Sequence, residues 1–383
     1  MLSQIYLDYH ATTPCDPRVV EAMLPYFTEG FGNPSSSLHR IGQAAADAVE
    51  KARAQIADLI GCQPGEIVFT GGATESNNLA IFGLARGNPT KRKRIVTTTV
   101  EHKAVLGPCQ ELQKQGFDIV RLPVDAVGCV DLDAARHAIT DDTLLVSIQA
   151  ANNEIGTLQP VVEVAQIAHE RGALVHCDAA QAVGKIPVDI VSWGIDVLSI
   201  SAHKLYGPKG VGALFISGGP RALPIKPLMV GGGQEQELRP GTLNVPGIVG
   251  FGEASSLSAV HLTEEAKQIA ALRDRLENQL LQGIEGLGRN GSVQQRLPGN
   301  SSLTFPGVDA EALIANVPQL ALSTGSACTS GAIEPSHVLL AIGLSREQAY
   351  STLRIGLGRF TTKAEVERAA DEIIRAIQRL SLM

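Results

Sequence analysis

The sequence contains no run of about 18 consecutive apolar residues, the minimum that a membrane-spanning helix needs. Its first ten residues, MLSQIYLDYH, lack the charged and apolar regions of a secretory signal peptide. The six cysteines are scattered along the chain without a CxxC pair, so we expect neither a disulfide framework nor a metal site. These absences predict a cytoplasmic protein without a membrane partner.

The chain also lacks an excess of positive charge. It has 32 Lys and Arg residues against 39 Asp and Glu residues, which gives a net charge of −7. Because a nucleic-acid-binding face usually needs a basic surplus, we expect no nucleic-acid partner. The one basic cluster, KRKR at 91–94, precedes an apolar run and is interpreted as a solvated loop that leads into a strand.

Short apolar runs alternate with helix-like segments over roughly the first two thirds of the chain. The runs that we interpret as strands are 66–70, 94–98, 118–122, 144–148, 174–177, 197–201 and 211–216. Helical periods such as 162–171 lie between several of these runs. This alternation predicts an α/β fold with a mostly parallel, seven-stranded sheet covered by helices.

The pattern changes just after residue 260. Thr263, followed by two glutamates, resembles a helix start, and helical periodicity continues to about residue 282. A strand is predicted at 301–305, and helices are predicted at 310–316 and 362–380. We therefore predict a large domain over 14–260 and a smaller α+β domain formed by 1–13 and 261–383. The pattern by itself leaves open which domain the first dozen residues join.

A lysine stands where a predicted strand ends, in the segment SAHKLYGPKG at 201–210. Ligands of open α/β sheets bind beyond the carboxyl ends of the strands, so Lys204 is placed where a ligand would bind. A lysine in a partly desolvated site can lose its proton and form a Schiff base with an aldehyde. A plain surface lysine fits this segment equally well.

A second predicted strand end favours the Schiff-base interpretation. The strand at 174–177 leads directly into Asp178, whose carboxylate could keep the nitrogen of a bound pyridine ring protonated. Gln181, three residues later, could donate to the phenolic oxygen of such a ring. The alternative role for Asp178 is a helix N-cap, because two alanines follow it, and the two roles are compatible.

Two further segments have the residues of an anion site and a proton carrier. In TGGATESN at 70–77 a strand meets two glycines before a helix, so backbone N–H groups and the Thr74 hydroxyl could hold a phosphate. His102 follows another predicted strand and could stack on a ring or move protons. An ordinary strand–helix turn and a structural histidine are the alternatives here.

Taken together, the motifs are more specific than any one of them. They occur in the order GGATESNN at 71–78, TVEHKAVL at 99–106, ANNEIG at 151–156, HCDAAQAVGK at 176–185, SAHKLYGPKG at 201–210 and STGSACTSG at 323–331. In this order they resemble a cysteine desulfurase of the NifS/IscS type, within the class V aminotransferase superfamily. The resemblance extends from YLDYHATTP at 6–14 to LRIGLGRFT at 353–361.

The resemblance implies a homodimer with pyridoxal 5′-phosphate as cofactor and assigns a role to each site residue. Lys204 would carry the cofactor as a Schiff base, and His102 would stack on its ring and assist proton transfer. Asp178 would face the ring nitrogen and Gln181 the ring oxygen. The remaining assignments are the phosphate to Gly72, Ala73, Thr74, Ser201 and His203, a cofactor contact to Asn153, the substrate carboxylate to Asn153 and Arg354, and the neighbouring subunit's phosphate to Thr242.

Cys328 determines which reaction the resemblance implies. It lies in GSACTSG at 325–331, a small-residue segment typical of an exposed loop, where a thiolate could act as a nucleophile. The implied reaction converts L-cysteine to L-alanine and leaves the sulfur on Cys328 as a persulfide. The implied acceptor of that sulfur is an iron–sulfur scaffold or another sulfur-carrier protein. An idle surface thiol is the alternative that the segment alone supports.

Three other functions remain compatible with these motifs. They are another pyridoxal-phosphate enzyme such as an aminotransferase, a selenocysteine lyase, and a non-catalytic sulfur-relay module that has kept the fold. The chain departs from the family's usual pattern at His10 and at Pro240. We expect neither residue to contact a catalytic atom.

Overall fold

The computed structural model describes residues 4–325 and 334–380. Its strands are β1 Ile5–Tyr6, β2 Ile67–Thr70, β3 Arg94–Thr98, β4 Asp118–Leu122, β5 Thr143–Gln149, β6 Leu174–Asp178, β7 Val197–Ser201, β8 Gly212–Ile216, β9 Gly288–Asn290, β10 Asn300–Thr304, β11 Leu320–Ala321 and β12 Thr352–Gly356. Its helices are α1 Pro17–Met23, α2 Pro25–Thr28, α3 Arg40–Ile60, α4 Ala73–Gly87, α5 Lys103–Lys114, α6 Leu132–Ala138, α7 Val161–Glu170, α8 Ile190–Trp193, α9 Val245–Gly283, α10 Ala310–Ala315, α11 His337–Ala341, α12 Arg346–Tyr350 and α13 Lys363–Leu380. No helix within these two ranges is long and apolar enough to cross a membrane.

A seven-stranded sheet organises the larger part of the chain, in the order β2-β8-β7-β6-β5-β3-β4. β8 pairs antiparallel with both of its neighbours, and the other pairs in this sheet are parallel. β2, β6, β7 and β8 are buried along nearly their whole length, as strands covered by helices on both faces must be. The predicted α/β class, with its mostly parallel seven-stranded sheet, is confirmed.

The parallel strands end at one edge of the sheet. The candidate site residues lie at this edge, directly after the strands. β2 leads into Gly71 and Gly72, β6 ends on Asp178, and β7 ends three residues before Lys204. Each predicted strand lies within one residue of an observed one, because a buried strand is a continuous apolar run bounded by polar or glycine residues. Residues far apart in the sequence are thereby brought to one place.

A second hydrophobic core lies apart from the sheet. It joins Ile5 and Leu7 to residues of α9, α10, α13, β10 and β12, with Leu280, Phe305 and Ile373 fully buried in it. Around it, β9, β10 and β12 form an antiparallel sheet, and β1 pairs parallel with β11. The division into a large domain at 14–260 and a small domain at 1–13 and 261–383 stays a prediction that this separate core supports.

The helix start predicted at Thr263 is wrong. One continuous helix, α9, runs for 39 residues from Val245 and begins with the Asn244 side chain accepting from the Gly247 N–H group. Its first half is rich in glycine, which sequence propensity counts against a helix. Tertiary packing requires these glycines, since a Cβ on Gly252 would lie 2.6 Å from the Cα of Ala52 in α3. The predicted domain boundary therefore falls inside a helix.

Candidate active site

A cavity of about 1340 Å³ lies at the carboxyl edge of the seven-stranded sheet. Eleven of the residues singled out from the sequence line it: Gly72, Ala73, Thr74, His102, Asn153, Asp178, Gln181, Ser201, His203, Lys204 and Arg354. Thr242 is not among the lining residues, and Cys328 lies outside the described residues. The parallel sheet thus brings together side chains that the sequence separates by more than 280 positions.

Lys204 ends a short 3-10 turn that directly follows β7. Its Nζ donates to the backbone oxygens of His10 and Ala11, the second at 2.7 Å. The amine therefore lies inside the cavity against the N-terminal segment of the chain. A plain surface lysine, the alternative interpretation from the sequence, does not match this position.

Asp178 is the last residue of β6 and is buried. One carboxylate oxygen accepts from Asn77 Nδ2 at 2.7 Å, and the other accepts from the Ala180 N–H group at 3.0 Å. Both oxygens are therefore hydrogen-bonded, as a buried carboxylate requires. The alternative role of helix N-cap is wrong, because the residues after Asp178 form turns and no helix begins there.

The start of α4 forms an anion-binding turn at the cavity wall. Gly72 precedes the helix with a φ of 146° and no side chain caps the helix N-terminus, so its first N–H groups are available to a ligand. A Cβ on Gly212 would lie 2.6 Å from the Cα of Gly72, which shows how closely the two backbones pass. With the hydroxyls of Thr74 and Ser201 in the same lining, the turn is suited to a phosphate.

Both predicted histidines are held neutral. Burial lowers the pKa of His203 to about 4, and its Nδ1 lies 3.0 Å from the Thr12 hydroxyl. Burial also lowers the pKa of His102, whose Nδ1 accepts from the Ala104 N–H group at the start of α5. Because a neutral imidazole carries one proton, that of His102 is on Nε2. These side chains offer hydrogen bonds and no fixed positive charge.

Arg354 is held as a buried guanidinium in the lining of the cavity. It donates to Asp8 Oδ1 at 2.7 Å and to the Asn153 backbone oxygen at 3.1 Å, while its Nε has no partner among the described residues. The two anchors fix the plane of the guanidinium, which suits it to bind a carboxylate with two parallel hydrogen bonds. Asp8 was not recognised from the sequence, although it lies in the YLDYHATTP motif.

His10 was expected to contact no catalytic atom, and this expectation is wrong. Its backbone oxygen accepts from both Lys204 Nζ and Gln181 Nε2, and its ring Nδ1 lies 3.2 Å from Gln181 Oε1. These contacts join residues 171 and 194 positions apart, so no local pattern could reveal them.

Glu101 is another residue that the sequence did not single out. It lies beside His102 in the chain and is fully buried, which raises the pKa of its carboxyl to about 8. It accepts hydrogen bonds from the Thr98 hydroxyl and the Gln149 N–H group. Glu101 therefore fixes the buried backbone next to His102 through these hydrogen bonds.

Thr242 is exposed outside the cavity, at the end of a segment tied to the phosphate-binding turn. Arg239 donates to Glu75 of α4, and the other oxygen of Glu75 accepts from the Gly71 N–H group at 2.6 Å. The buried side chain of Glu235, in the same segment, pairs with Arg53 through two hydrogen bonds. The segment is therefore fixed to the helix start, while Thr242 lies outside the lining of this subunit's cavity.

The sequence of the whole chain agrees with this geometry. The family model described as Aminotransferase class-V matches residues 5–369. The chain belongs to this family. It is 49% identical to the cysteine desulfurase IscS of Rickettsia felis, over 98% of this chain and 92% of that protein. A second IscS, from an Anaeromyxobacter species, is 48% identical over 99% of this chain and 94% of its own length.

Solved structures of similar proteins agree as well. A NifS-like protein superimposes with a TM-score of 0.91 at 38% identity, covering 99% of this chain and 100% of that one. A structure described as SspA in complex with cysteine has a TM-score of 0.82 at 38% identity, over 94% of this chain and 100% of that one. The fold of this family member is therefore that of the NifS-like structures.

The family's cofactor is pyridoxal 5′-phosphate, and the lining of the cavity fits it. The uncapped start of α4 suits its phosphate, the amine of Lys204 its aldehyde, and the carboxylate of Asp178 its ring nitrogen. All three groups lie in one cavity of ample volume.

Proposed function

We propose that the protein is a cysteine desulfurase that converts L-cysteine to L-alanine and keeps the sulfur as a persulfide on Cys328. One observation carries the proposal: the cavity gathers an amine, a carboxylate and an uncapped helix start in a chain 49% identical to a cysteine desulfurase. The site-residue roles implied by the sequence motifs are part of this proposal.

Pyridoxal phosphate, when bound, supplies an aldehyde that captures the substrate amine and a ring that accepts electrons from the substrate Cα. Lys204 Nζ would be the base that takes the substrate Cα proton, because its contacts with the backbone oxygens of His10 and Ala11 keep it inside the cavity. Asp178 would hold a proton on the ring nitrogen, with the plane of its carboxylate fixed by Asn77. His102, with its proton on Nε2, would lie against the ring and could donate from that atom.

Substrate orientation falls to Arg354 and Asn153. The guanidinium is already immobilised by Asp8 and by the Asn153 backbone oxygen, so binding a carboxylate costs little side-chain entropy. Its buried Nε lacks a partner among the described residues, and a bound carboxylate would supply one. Arg354 would thereby hold the substrate carboxylate in a fixed orientation within the cavity.

The sulfur step needs a thiolate that the described part of the chain does not offer. The five described cysteines are free, and burial raises the pKa of each thiol, so none is an activated nucleophile. Gly325 and Glu334, the described residues on either side of the segment that contains Cys328, both line the cavity. Attack by the Cys328 thiolate on the substrate sulfur forms an S–S bond, and the electron pair of the broken C–S bond passes to the carbon that becomes the methyl group of alanine.

Incubation of the purified holoenzyme with L-cysteine tests the whole reaction. We expect alanine in solution and one additional sulfur atom on Cys328, detected by mass spectrometry of its peptide. Alanine that forms only when a keto acid is added, with no sulfur on Cys328, would indicate an aminotransferase instead. A parallel assay with L-selenocysteine measures how far the cavity prefers sulfur over selenium.

Replacement of Asp178 by asparagine is expected to lower kcat by roughly 10²-fold to 10³-fold, a range typical of losing one electrostatic contact to a developing charge. Asparagine keeps the shape of the side chain and removes the negative charge that holds a proton on the ring nitrogen. The measurement is single-turnover alanine formation. Asp131→Asn, which changes an exposed aspartate that caps α6 far from the cavity, is the control and should keep the wild-type rate.

The proposal also includes a homodimer. Thr242 is exposed and outside its own subunit's cavity, so a neighbouring subunit is needed if it binds a phosphate. Large apolar side chains are exposed between α1 and α3, among them Leu24, Phe27, Phe31 and Leu38. Such side chains commonly mark an interface, which supports a second copy as their partner.

We place the enzyme in the cytoplasm, where a persulfide and the free thiols of the described residues are stable against oxidation. Its product sulfur would pass to an iron–sulfur scaffold or another sulfur-carrier protein.

A further inference from the structure

The proposed role of Gln181 is to donate one hydrogen bond to the cofactor ring oxygen. Its side-chain amide makes several other contacts as well. Its Oε1 accepts from Lys185 Nζ at 2.6 Å and lies 3.2 Å from His10 Nδ1. Its Nε2 donates one hydrogen to the His10 backbone oxygen at 2.9 Å. One N–H bond of the amide therefore has no role in these contacts, and Gln181 lines the cavity.

The contacts also fix where the proton on His10 lies. Burial, followed by the charges of Lys185 and Arg354, holds the pKa of His10 well below its usual range, so the ring is neutral. Because Nδ1 faces an amide oxygen, which only accepts, the proton is on Nδ1. Nε2 is buried without a partner among the described residues, which is less costly for a bare ring nitrogen than for an N–H group.

A reversed amide would be penalised twice. If Gln181 rotated by 180° about its last side-chain bond, its NH₂ group would face the donors Lys185 Nζ and His10 Nδ1–H. Its oxygen would then face the His10 carbonyl oxygen, and the hydrogen bonds that Oε1 accepts from Lys185 Nζ and His10 Nδ1–H would be lost. The observed orientation is thus the one that leaves an N–H group, and not a lone pair, for the cavity.

We propose that Lys185 and His10 are positioning residues that lock the polarity of the Gln181 amide, so that its free N–H group donates to the ring oxygen of the bound cofactor. This inference rests on the proposed function, and it assigns a task to the side chains of His10 and Lys185, which no step of the proposed reaction uses. Lys185 acts as a hydrogen-bond donor here, and its charge is not required.

The conformation of the turn between Gln181 and Lys185 supports this positioning role. Gly184 has a φ of 77°, a left-handed conformation that favours glycine, and a Cβ there would lie 2.8 Å from the Cβ of Leu205. The turn that follows β6 therefore folds back close to the segment that contains Lys204. In this turn Lys185 lies within hydrogen-bonding distance of Gln181. Burial, with the charges of Lys204 and Arg354, holds the pKa of Lys185 well below its usual range. A neutral amine still donates, so the observed hydrogen bond from Lys185 Nζ to Gln181 Oε1 does not require the charge.

The pH dependence of the bound cofactor's visible absorbance tests the lock. A donor to the ring oxygen stabilises the charge that remains there after the chromophore loses its proton, and so lowers the midpoint pH. We expect Lys185→Met to raise this midpoint by about one pH unit, the size of one hydrogen bond to a charged group. Lys185→Gln, which keeps a donor without any charge, should stay near the wild-type midpoint.

Two further comparisons separate the lock from a through-space charge effect. In a Gln181→Leu background, Lys185→Met should add no further shift, because the residue through which it acts is gone. His10→Ala should raise the midpoint, whereas His10→Asn, whose side-chain NH₂ replaces the Nδ1 donor, should restore it. The His10 pair also tests the lock if Lys185→Met protein does not fold.

The outcomes distinguish this inference from the proposed function. Equal shifts in Lys185→Met and Lys185→Gln, or a Lys185→Met shift that persists in the Gln181→Leu background, would overturn the lock. A wild-type protein that makes alanine and holds its cofactor, with variants that leave the midpoint unchanged, overturns the lock alone. A wild-type protein without cofactor absorbance and without alanine formation overturns the proposed function instead.

Discussion

Replacement of Lys204 by alanine is expected to lower the rate of alanine formation by roughly 10⁴-fold or more. A single acid–base group supplies up to about that factor, and Lys204 is proposed to supply covalent attachment of the cofactor as well. The Lys204 amine lies against the backbone oxygens of His10 and Ala11, so its loss leaves that position in the cavity without an amine. We expect the variant to retain cofactor through the phosphate-binding turn and Asp178, but without a covalent bond.

Borohydride reduction followed by mass spectrometry measures covalent attachment directly. Reduced wild-type protein should carry the cofactor on Lys204, and reduced Lys204→Ala protein should carry none. Lys114→Ala is the matched control, since Lys114 is exposed on α5 and pairs with the exposed Glu111. Partial recovery of the variant's activity with added methylamine would support the base role. A Lys204→Ala protein with wild-type activity would contradict the assignment.

Much of this site was predictable because its residues follow strands. A buried parallel strand is recognisable as an apolar run, and the carboxyl ends of such strands meet at one edge of the sheet. Lys204 and Asp178 each follow a run of this kind, and so do the glycines before Thr74. Once the strands were assigned, their convergence on a single cavity was a consequence of topology, and the structure places all three there.

The supporting contacts were not predictable, because they are set by tertiary packing. His10 belongs to no periodic element, and its partners lie more than 170 positions away. Lys185 lies in a turn whose path depends on the close approach of Gly184 to Leu205. The glycine-rich start of α9 misled the assignment for a similar reason, since only the packing of Gly252 on Ala52 explains a glycine in a helix.

Replacement of Cys328 by serine is expected to lower desulfuration by at least about 10³-fold, since loss of a catalytic nucleophile commonly costs more than this. A hydroxyl cannot form the S–S bond through which the substrate sulfur departs. Lys204, Asp178 and the phosphate-binding turn are unchanged in this variant, so its cofactor absorbance should match that of the wild type. The measurements are alanine formation from L-cysteine and the absorbance spectrum of the same sample.

The control variant for this experiment is Cys129→Ser. Cys129 is a free, partly exposed thiol whose pKa is raised by burial and by Asp125, and it does not line the cavity. Its replacement should leave the rate of alanine formation and the amount of persulfide on Cys328 unchanged. If Cys328→Ser protein made alanine at the wild-type rate, sulfur removal by this thiolate would be contradicted, while the roles of Lys204 and Asp178 in activating the substrate would stand. The two variants together therefore separate activation of the substrate at the cofactor from capture of its sulfur by a thiol.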